Sequence, residues 1–421
     1  MRILVYPHDM AIGGSQLNAV DLAAAVHDRG HWVGVIGQPG SLQSHISERG
    51  LEFIELPPPG RRPSPRVIGA IRKVAEDRNV DVIHGYEWPP ALEAAIASRG
   101  RRATAVATVL SMSVAPFIPY DLPLLVGTEQ ILEVERSRGR TATELMEPPI
   151  DITVNSPEAD LNVGEFATKW GLDTECMTVV IVSRLANEMK LEGILTAMDA
   201  VGSLRDSPPV QLLIVGTGPA AEQVRRLANK ANQKAGRRCV ILAGEMQDPR
   251  CAYAVADVVL GMGSSALRGM AFGKPVIVQG ESGYWRTVTE RSLPDFLWQG
   301  WYGAGPEASQ GASRLLSELG PLLRQEALRN HLGEFSLLTL RDRFSLDAAA
   351  ERQIDFYDNA ISHVSNGRGT LAAEVAAGTR FVAYKGARLL ARLRRATVAD
   401  DFNARPVART APDDPRTVVA R

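Results

Sequence analysis

Short apolar runs of four to six residues, each followed by a turn and then by a longer stretch with an apolar side, recur along most of this chain. Runs of that length bounded by turns read as buried strands, and the longer period reads as helix. Arg2–Tyr6 is the first strand. A helix follows from about Gln16 to Asp28 with Leu17, Val20, Leu22, Ala24 and Val26 on its apolar side, and Trp32–Ile36 is the second strand. A helix over 67–78, a strand over 80–84, a helix over 91–98 and a strand over 103–109 continue the rhythm. Residues 111–147 carry no clear period beyond a strand at 122–126 and a helix at 131–135.

Paired prolines at Pro148-Pro149 stiffen the chain and exclude helix, which marks a crossing between domains. The pattern then restarts, with strands at 178–183, 212–215 and 239–243, a helix over 191–204 and a helix that follows Gly216-Thr217-Gly218-Pro219 and reaches about Ala235. Further helices are predicted at 311–319, 322–331 and 346–360. Two such α/β series imply two doubly wound, Rossmann-like domains.

The most punctuated stretch is Val255–Gln279. A strand at 257–260 opens into a loop at Gly261-Met262-Gly263. Ser264 and Ser265 stand where a helix N-cap is wanted, and Gly273 and Pro275 end the helix before a strand at 276–278. Such a unit offers backbone N–H groups and a positive helix end at the C-terminal edge of a parallel sheet, where anions bind. An ordinary crossover with no ligand has the same outline.

Composition narrows the class. The 421 residues are 45% hydrophobic and 23% charged with a formal net charge of −1, so no global pull toward nucleic acid exists. Cys176, Cys239 and Cys251 form no CxxC, which supports neither a disulfide framework nor a zinc site. No run of eighteen apolar residues appears, and the expectation is a cytoplasmic protein.

Other candidate features surround the loop at 261–265. Gly13-Gly14, between the first strand and helix, let a diphosphate approach the backbone. Arg184 and Lys190 supply a planar fork and a mobile charge at a strand end; at a helix start they oppose the dipole, which favours an anion-binding role. Gly216-Thr217-Gly218-Pro219 is a further strand-to-helix turn. Beyond about Ser362, Phe381, Val382, Leu389, Leu390 and Leu393 alternate with Arg380, Lys385, Arg388, Arg392, Arg394 and Arg395, predicting a basic amphipathic helix. It suits a membrane surface or a partner, or simply adds a solvated helix. Residues 400–421 have a disordered composition.

The order of these features resembles the retaining glycosyltransferases of family 4, which have the GT-B fold. Those features are Gly13-Gly14, Arg184-Leu185 with Lys190, Ile214-Val215-Gly216-Thr217-Gly218-Pro219, Ala243-Gly244-Glu245 and Met270-Ala271-Phe272-Gly273-Lys274-Pro275-Val276. Asp342-Arg343-Phe344-Ser345 before a final helix resembles the family's closing segment. The resemblance, which covers roughly residues 1–361, implies an acceptor-side domain over 1–150, a nucleotide-sugar domain over 151–345 and a closing helix over 346–362 returning to the first domain; the basic helix and tail over 363–421 lie beyond it. Two facing domains would leave a cleft between them.

By the same resemblance, the reaction is sugar transfer from a UDP- or GDP-sugar to a small or lipid-linked acceptor, with retention of configuration and without a metal or other cofactor. The diphosphate would lie between Gly13-Gly14 and Arg184/Lys190. The donor would also meet Gly216, Gly218, Glu245, Met246, Gly261, Met262, Gly263, Ser264, Ser265 and Arg268, with the base near Glu245 and Met246. Tyr86 takes the place of the family's histidine beneath the donor sugar and Glu87 follows it, and His8 near the glycine pair is a second candidate.

One departure is marked. The family's second ribose-binding glutamate falls on Arg268, and a guanidinium only donates where a carboxylate accepts. A catalytically silent sugar-nucleotide-binding subunit is therefore the alternative reading, and nucleotide-sugar 2-epimerisation a third.

Overall fold

The computed structural model describes residues 1–204, 209–366 and 371–393. The chain divides into two compact units: Met1–Pro149 with the described residues from Leu346 onward, and Ile150–Ser345. The tail at 400–421 lies outside the described residues.

In unit 1, strands β1 (Arg2–Tyr6), β2 (Trp32–Gly37), β3 (Glu52–Glu55), β4 (Val82–Tyr86), β5 (Thr104–Val109), β6 (Leu124–Val126) and β7 (Thr143–Leu145) form a sheet in the order β3-β2-β1-β4-β5-β6-β7. Every pairing is parallel. Both faces are covered by helices, so the strands are near-continuous apolar runs with Ile3, Leu4, Val35, Ile36 and Val106 wholly buried. The helix Leu346–Asn366 completes one face. Its Ala349, Ala350, Phe356 and Tyr357 pack in one cluster with Val20, Ala23 and Ala24 of the helix Gly14–Asp28.

In unit 2, β8 (Met177–Val182), β9 (Val210–Val215), β10 (Val240–Gly244), β11 (Val258–Gly261), β12 (Val276–Gln279) and β13 (Trp285–Thr287) run in the order β10-β9-β8-β11-β12-β13. Only β13 is antiparallel among these pairings. Strand order reverses between β1 and β4 in one sheet and between β8 and β11 in the other. At such switch points the loops diverge and leave a crevice outside the strand ends.

Several expected elements are corrected. The strand expected to end at His84 runs on to Tyr86, because Gly85 lets the next helix start on top of it: a Cβ there would lie 2.5 Å from Ala91 N. That helix spans Trp88–Ser98 instead of starting at Ala91, since prolines 89 and 90 occupy its first turn, where no N–H is needed. Gly263, not a serine, is the N-cap of the helix Ser264–Ala271. Strands β3, β7 and β13, and helices Val163–Trp170, Arg250–Ala254 and Leu293–Gln299, are additional elements.

Candidate functional site

Each switch point carries a cluster of polar groups. In unit 2 the chain leaves β8 through Ser183, Arg184 and Leu185 and re-enters helix at Leu191, with Lys190 as the N-cap. Leu185 anchors this loop: it is 4% exposed, its N–H donates to the Thr217 carbonyl (2.9 Å), and its carbonyl accepts from Ala220 N (2.9 Å). Anchoring Leu185 leaves its neighbour Arg184 exposed. Gly216, at φ 141°, permits this crossing of loops, because a Cβ there would sit 2.0 Å from the Ser183 carbonyl oxygen. A Cβ at Gly218 would lie 2.6 Å from the Leu185 carbonyl oxygen. Both glycines thus have a packing role that needs no ligand.

Lys190 is the most perturbed cation of the cluster. Burial, and after it the charge of Arg184, lower its pKa to about 8. Its Nζ meets the Met262 sulfur at 2.7 Å, and a thioether is only a weak acceptor. Among the described residues neither Arg184, Lys190 nor Arg268 has a carboxylate partner at ion-pair distance. Two adjacent cations held without an anion constitute a site short of negative charge.

The loop after β11 lies on the same side. Gly261 brings the helix Ser264–Ala271 close to the strand, since a Cβ would be 2.8 Å from Ala266 N. No side chain caps this helix. The Ser265 hydroxyl is already engaged, donating to the Val182 carbonyl (2.7 Å) and accepting from Tyr253 (3.2 Å), so it ties the helix to β8. Arg268 is half-buried on this helix. Tyr253, pushed up by burial, feels its charge in the opposite direction, and Arg268 adds to the field that Arg250 exerts on Asp248. Glu245 is exposed just after β10, and Met246 packs against the core beside it.

In unit 1, Gly13 is the N-cap of the helix Gly14–Asp28, and no side chain caps it. Glu87 follows β4 and has a left-handed φ of 64°, which strains a residue bearing a Cβ. Its carboxylate is buried and accepts from Leu110 N (2.9 Å), Ser111 N (3.1 Å), Ser111 Oγ (2.6 Å) and Ser15 Oγ (3.3 Å). Burial raises its pKa, against the pull of these donors and of His8. The same small pocket is lined by His8, Trp88, Ser111 and Ser113, and His8 Nδ1 is buried there with no partner.

Tyr86 stands elsewhere. It is 1% exposed, stacks on His84 with ring centroids 4.4 Å apart, and belongs to the core. The expectation that it faces a donor sugar is corrected: with β4 extended by two residues, its side chain falls on the sheet face covered by helix. His84 is structural too, joined to Tyr357 Oη (2.8 Å) and Thr108 Oγ1 (2.7 Å), with burial lowering its pKa to about 3.

Some polar groups carried no sequence signal. Glu192 accepts from Ser282 N (3.1 Å) and Gly283 N (2.6 Å), fixing the loop after β12. Glu93, wholly buried, accepts from Tyr6 Oη (2.9 Å) and Ser64 N (2.7 Å) and pairs with Arg62, which lines a wider groove with His8, Asp9 and Gln38.

Two doubly wound sheets, each with polar groups at its switch point, are the GT-B glycosyltransferase class. Residues 177–292 match the glycosyl transferases group 1, and residues 13–144 match the glycosyl transferase 4-like domain. The chain belongs to the group 1 glycosyltransferases. No curated protein matches it in sequence. Among solved structures, a glycosyltransferase from Rickettsia africae ESF-5 is 16% identical with a TM-score of 0.66, over 86% of this chain and 98% of that one. The Anabaena protein Alr3699/HepE, in complex with UDP and glucose, is 16% identical with a TM-score of 0.65, over 85% and 100%. Sucrose-phosphate synthase from Thermosynechococcus elongatus is 17% identical with a TM-score of 0.64, over 86% and 100%.

Proposed function

We propose that the chain transfers a sugar from a UDP- or GDP-sugar to an acceptor with retention of anomeric configuration, using no metal. The observation that carries the reading is the pair Arg184 and Lys190, neither neutralised by a carboxylate, at the β8 end of a group 1 domain. The UDP bound to the similar Anabaena protein supports a uridine donor. As the bond from the sugar's anomeric carbon to the diphosphate breaks, charge grows on the leaving phosphate oxygen. Arg184 and Lys190 offset that charge, which is the work a metal does elsewhere. The leaving oxygen takes the acceptor hydroxyl's proton, and the new glycosidic bond forms on the face the diphosphate vacates. In unit 1, Glu87 and His8 line one small pocket and are its candidate sugar-contacting residues. The acceptor is a small molecule or a lipid-linked glycan.

Calorimetric titration with UDP, GDP, ADP and dTDP in metal-free buffer tests the donor class. Tight binding of UDP or GDP, weakened in Arg184→Ala, is expected; binding that requires Mg²⁺ overturns the metal-free reading. Arg268 favours a second reading, in which the protein binds a sugar nucleotide without turning it over. Arg268→Glu then distinguishes the two, since gain of transfer would mark the native chain as silent.

A further inference from the structure

The helix Leu371–Leu393 is docked on unit 1 by one face. Ala377 is buried, and Phe381 and Tyr384 pack on Phe117 with centroids 5.2 and 5.0 Å apart. Both rings also meet Trp88, which lines the His8–Glu87 pocket. Arg380 lies over the Tyr120 ring and Lys385 over Trp88, so these two cations flank the docked face, while Arg388 lies on it and donates to Tyr384 Oη (2.6 Å).

At 100° per residue, the opposite face carries Val375, Thr379, Val382, Gly386, Leu389 and Leu390. None of these is charged. Val375, Val382, Leu389 and Leu390 are 61, 71, 60 and 55% exposed, and four of the five large exposed apolar side chains of the described residues are these. Their coincidence on one stripe is what a soluble surface avoids. From Val375 to Ala399 the sequence has six cations and no acidic residue. An uncharged apolar stripe with basic flanks suits a bilayer: apolar groups enter the acyl boundary while arginines and lysines reach the headgroups. Among the described residues no helix is long and apolar enough to cross a membrane, so the contact is with its surface.

We propose that the outward stripe of helix Leu371–Leu393 docks unit 1 onto an anionic membrane surface. The six cations over 375–399, with no acidic residue among them, select anionic lipid over neutral lipid, and the stripe adds the apolar contribution. This does not depend on the glycosyl-transfer reading, because vesicle binding needs no donor.

The test is co-sedimentation of the full chain with phosphatidylcholine vesicles and with vesicles containing about 30% phosphatidylglycerol, at low and high salt. Binding to the anionic vesicles is expected, at least about tenfold tighter than to neutral ones and weakened by salt. The triple variant Val382→Glu, Leu389→Glu, Leu390→Glu should lose it. Those positions are exposed, so an unchanged melting temperature verifies the fold; Val382→Ser with Leu389→Ser is a milder second variant that should bind more weakly. Absence of binding to anionic vesicles at low salt, or equal binding by both variants, overturns the proposal. So does a native dimer that the triple variant converts to monomer without vesicle binding, since the stripe would then be a contact between copies.

Discussion

The Lys190 ammonium lies 2.7 Å from the Met262 sulfur, where other buried lysines of a stable protein would meet a carboxylate. A soft, uncharged neighbour holds the side chain in place without neutralising it. The arrangement links the β8 loop to the loop after β11, so the two motifs flanking the switch point are joined by one side chain.

Its first consequence is a pH dependence. Lys190 in the free protein has a pKa of about 8, below the ordinary 10.5. The charged form favours a diphosphate, so UDP affinity should be flat below that value and fall as pH rises through it. Binding should take up protons near pH 8, detectable by calorimetry in buffers of different ionisation enthalpy. Lys190→Met should bind more weakly and show no such step.

For the unliganded protein the sign is reversed. The unfolded chain holds the Lys190 proton more tightly than the folded one, so between pH 8 and 10.5 stability from this group rises with pH. Below pH 8 the charge is a full cost, and Lys190→Met should raise the melting temperature at pH 7. A melting temperature lowered by that substitution would contradict the assignment.

Arg184→Ala removes the exposed cation while leaving Leu185 anchored. The expected result is a loss of about 10- to 100-fold in nucleoside-diphosphate affinity, the range of charge-assisted bonds, with an unchanged melting temperature. Calorimetry and thermal unfolding on the same sample test both halves.

Glu87 combines a strained backbone with a carboxylate that accepts four hydrogen bonds. Glu87→Ala keeps the strain and orphans the donors, and should cost about 2–4 kcal/mol in denaturant unfolding. Glu87→Gly loses the same bonds but relieves φ, so it should be less destabilised by about 1 kcal/mol. Equal effects would show that the left-handed φ carries no strain.

Gly216→Ala should lower the melting temperature sharply, because its Cβ meets backbone rather than a flexible side chain. Gly13→Ala meets only the Gln16 amide group and should leave stability nearly unchanged.

Much of the architecture is legible in local pattern, because a strand buried on both faces is an apolar run and its helix has an apolar side. The placement of Arg184, Lys190 and the glycine turns at strand ends was legible for a related reason: such a loop lies within a few residues of the run that positions it. The environment of Tyr86 was not, since a two-residue error in a strand end decides whether a side chain meets core or solvent. Ser264 and Ser265 suggested a cap, yet Gly263 takes that place and Ser265 binds a carbonyl of β8, 83 residues away. The partners of Glu87 come from 15 and 110–111, and no local period encodes such meetings.

Unit 1 is discontinuous: the helix that completes its face, Leu346–Asn366, follows residues 150–345 of unit 2. At about 5–20 residues per second, synthesis of residues 150–345 delays that helix by roughly 10–40 s. During translation the Gly14–Asp28 helix therefore waits with Val20, Ala23 and Ala24 uncovered. The nascent chain presents an unfinished apolar surface over that interval. A truncation before Leu346 would make that transient exposure permanent, and such a fragment should be a substrate for chaperones rather than a smaller enzyme.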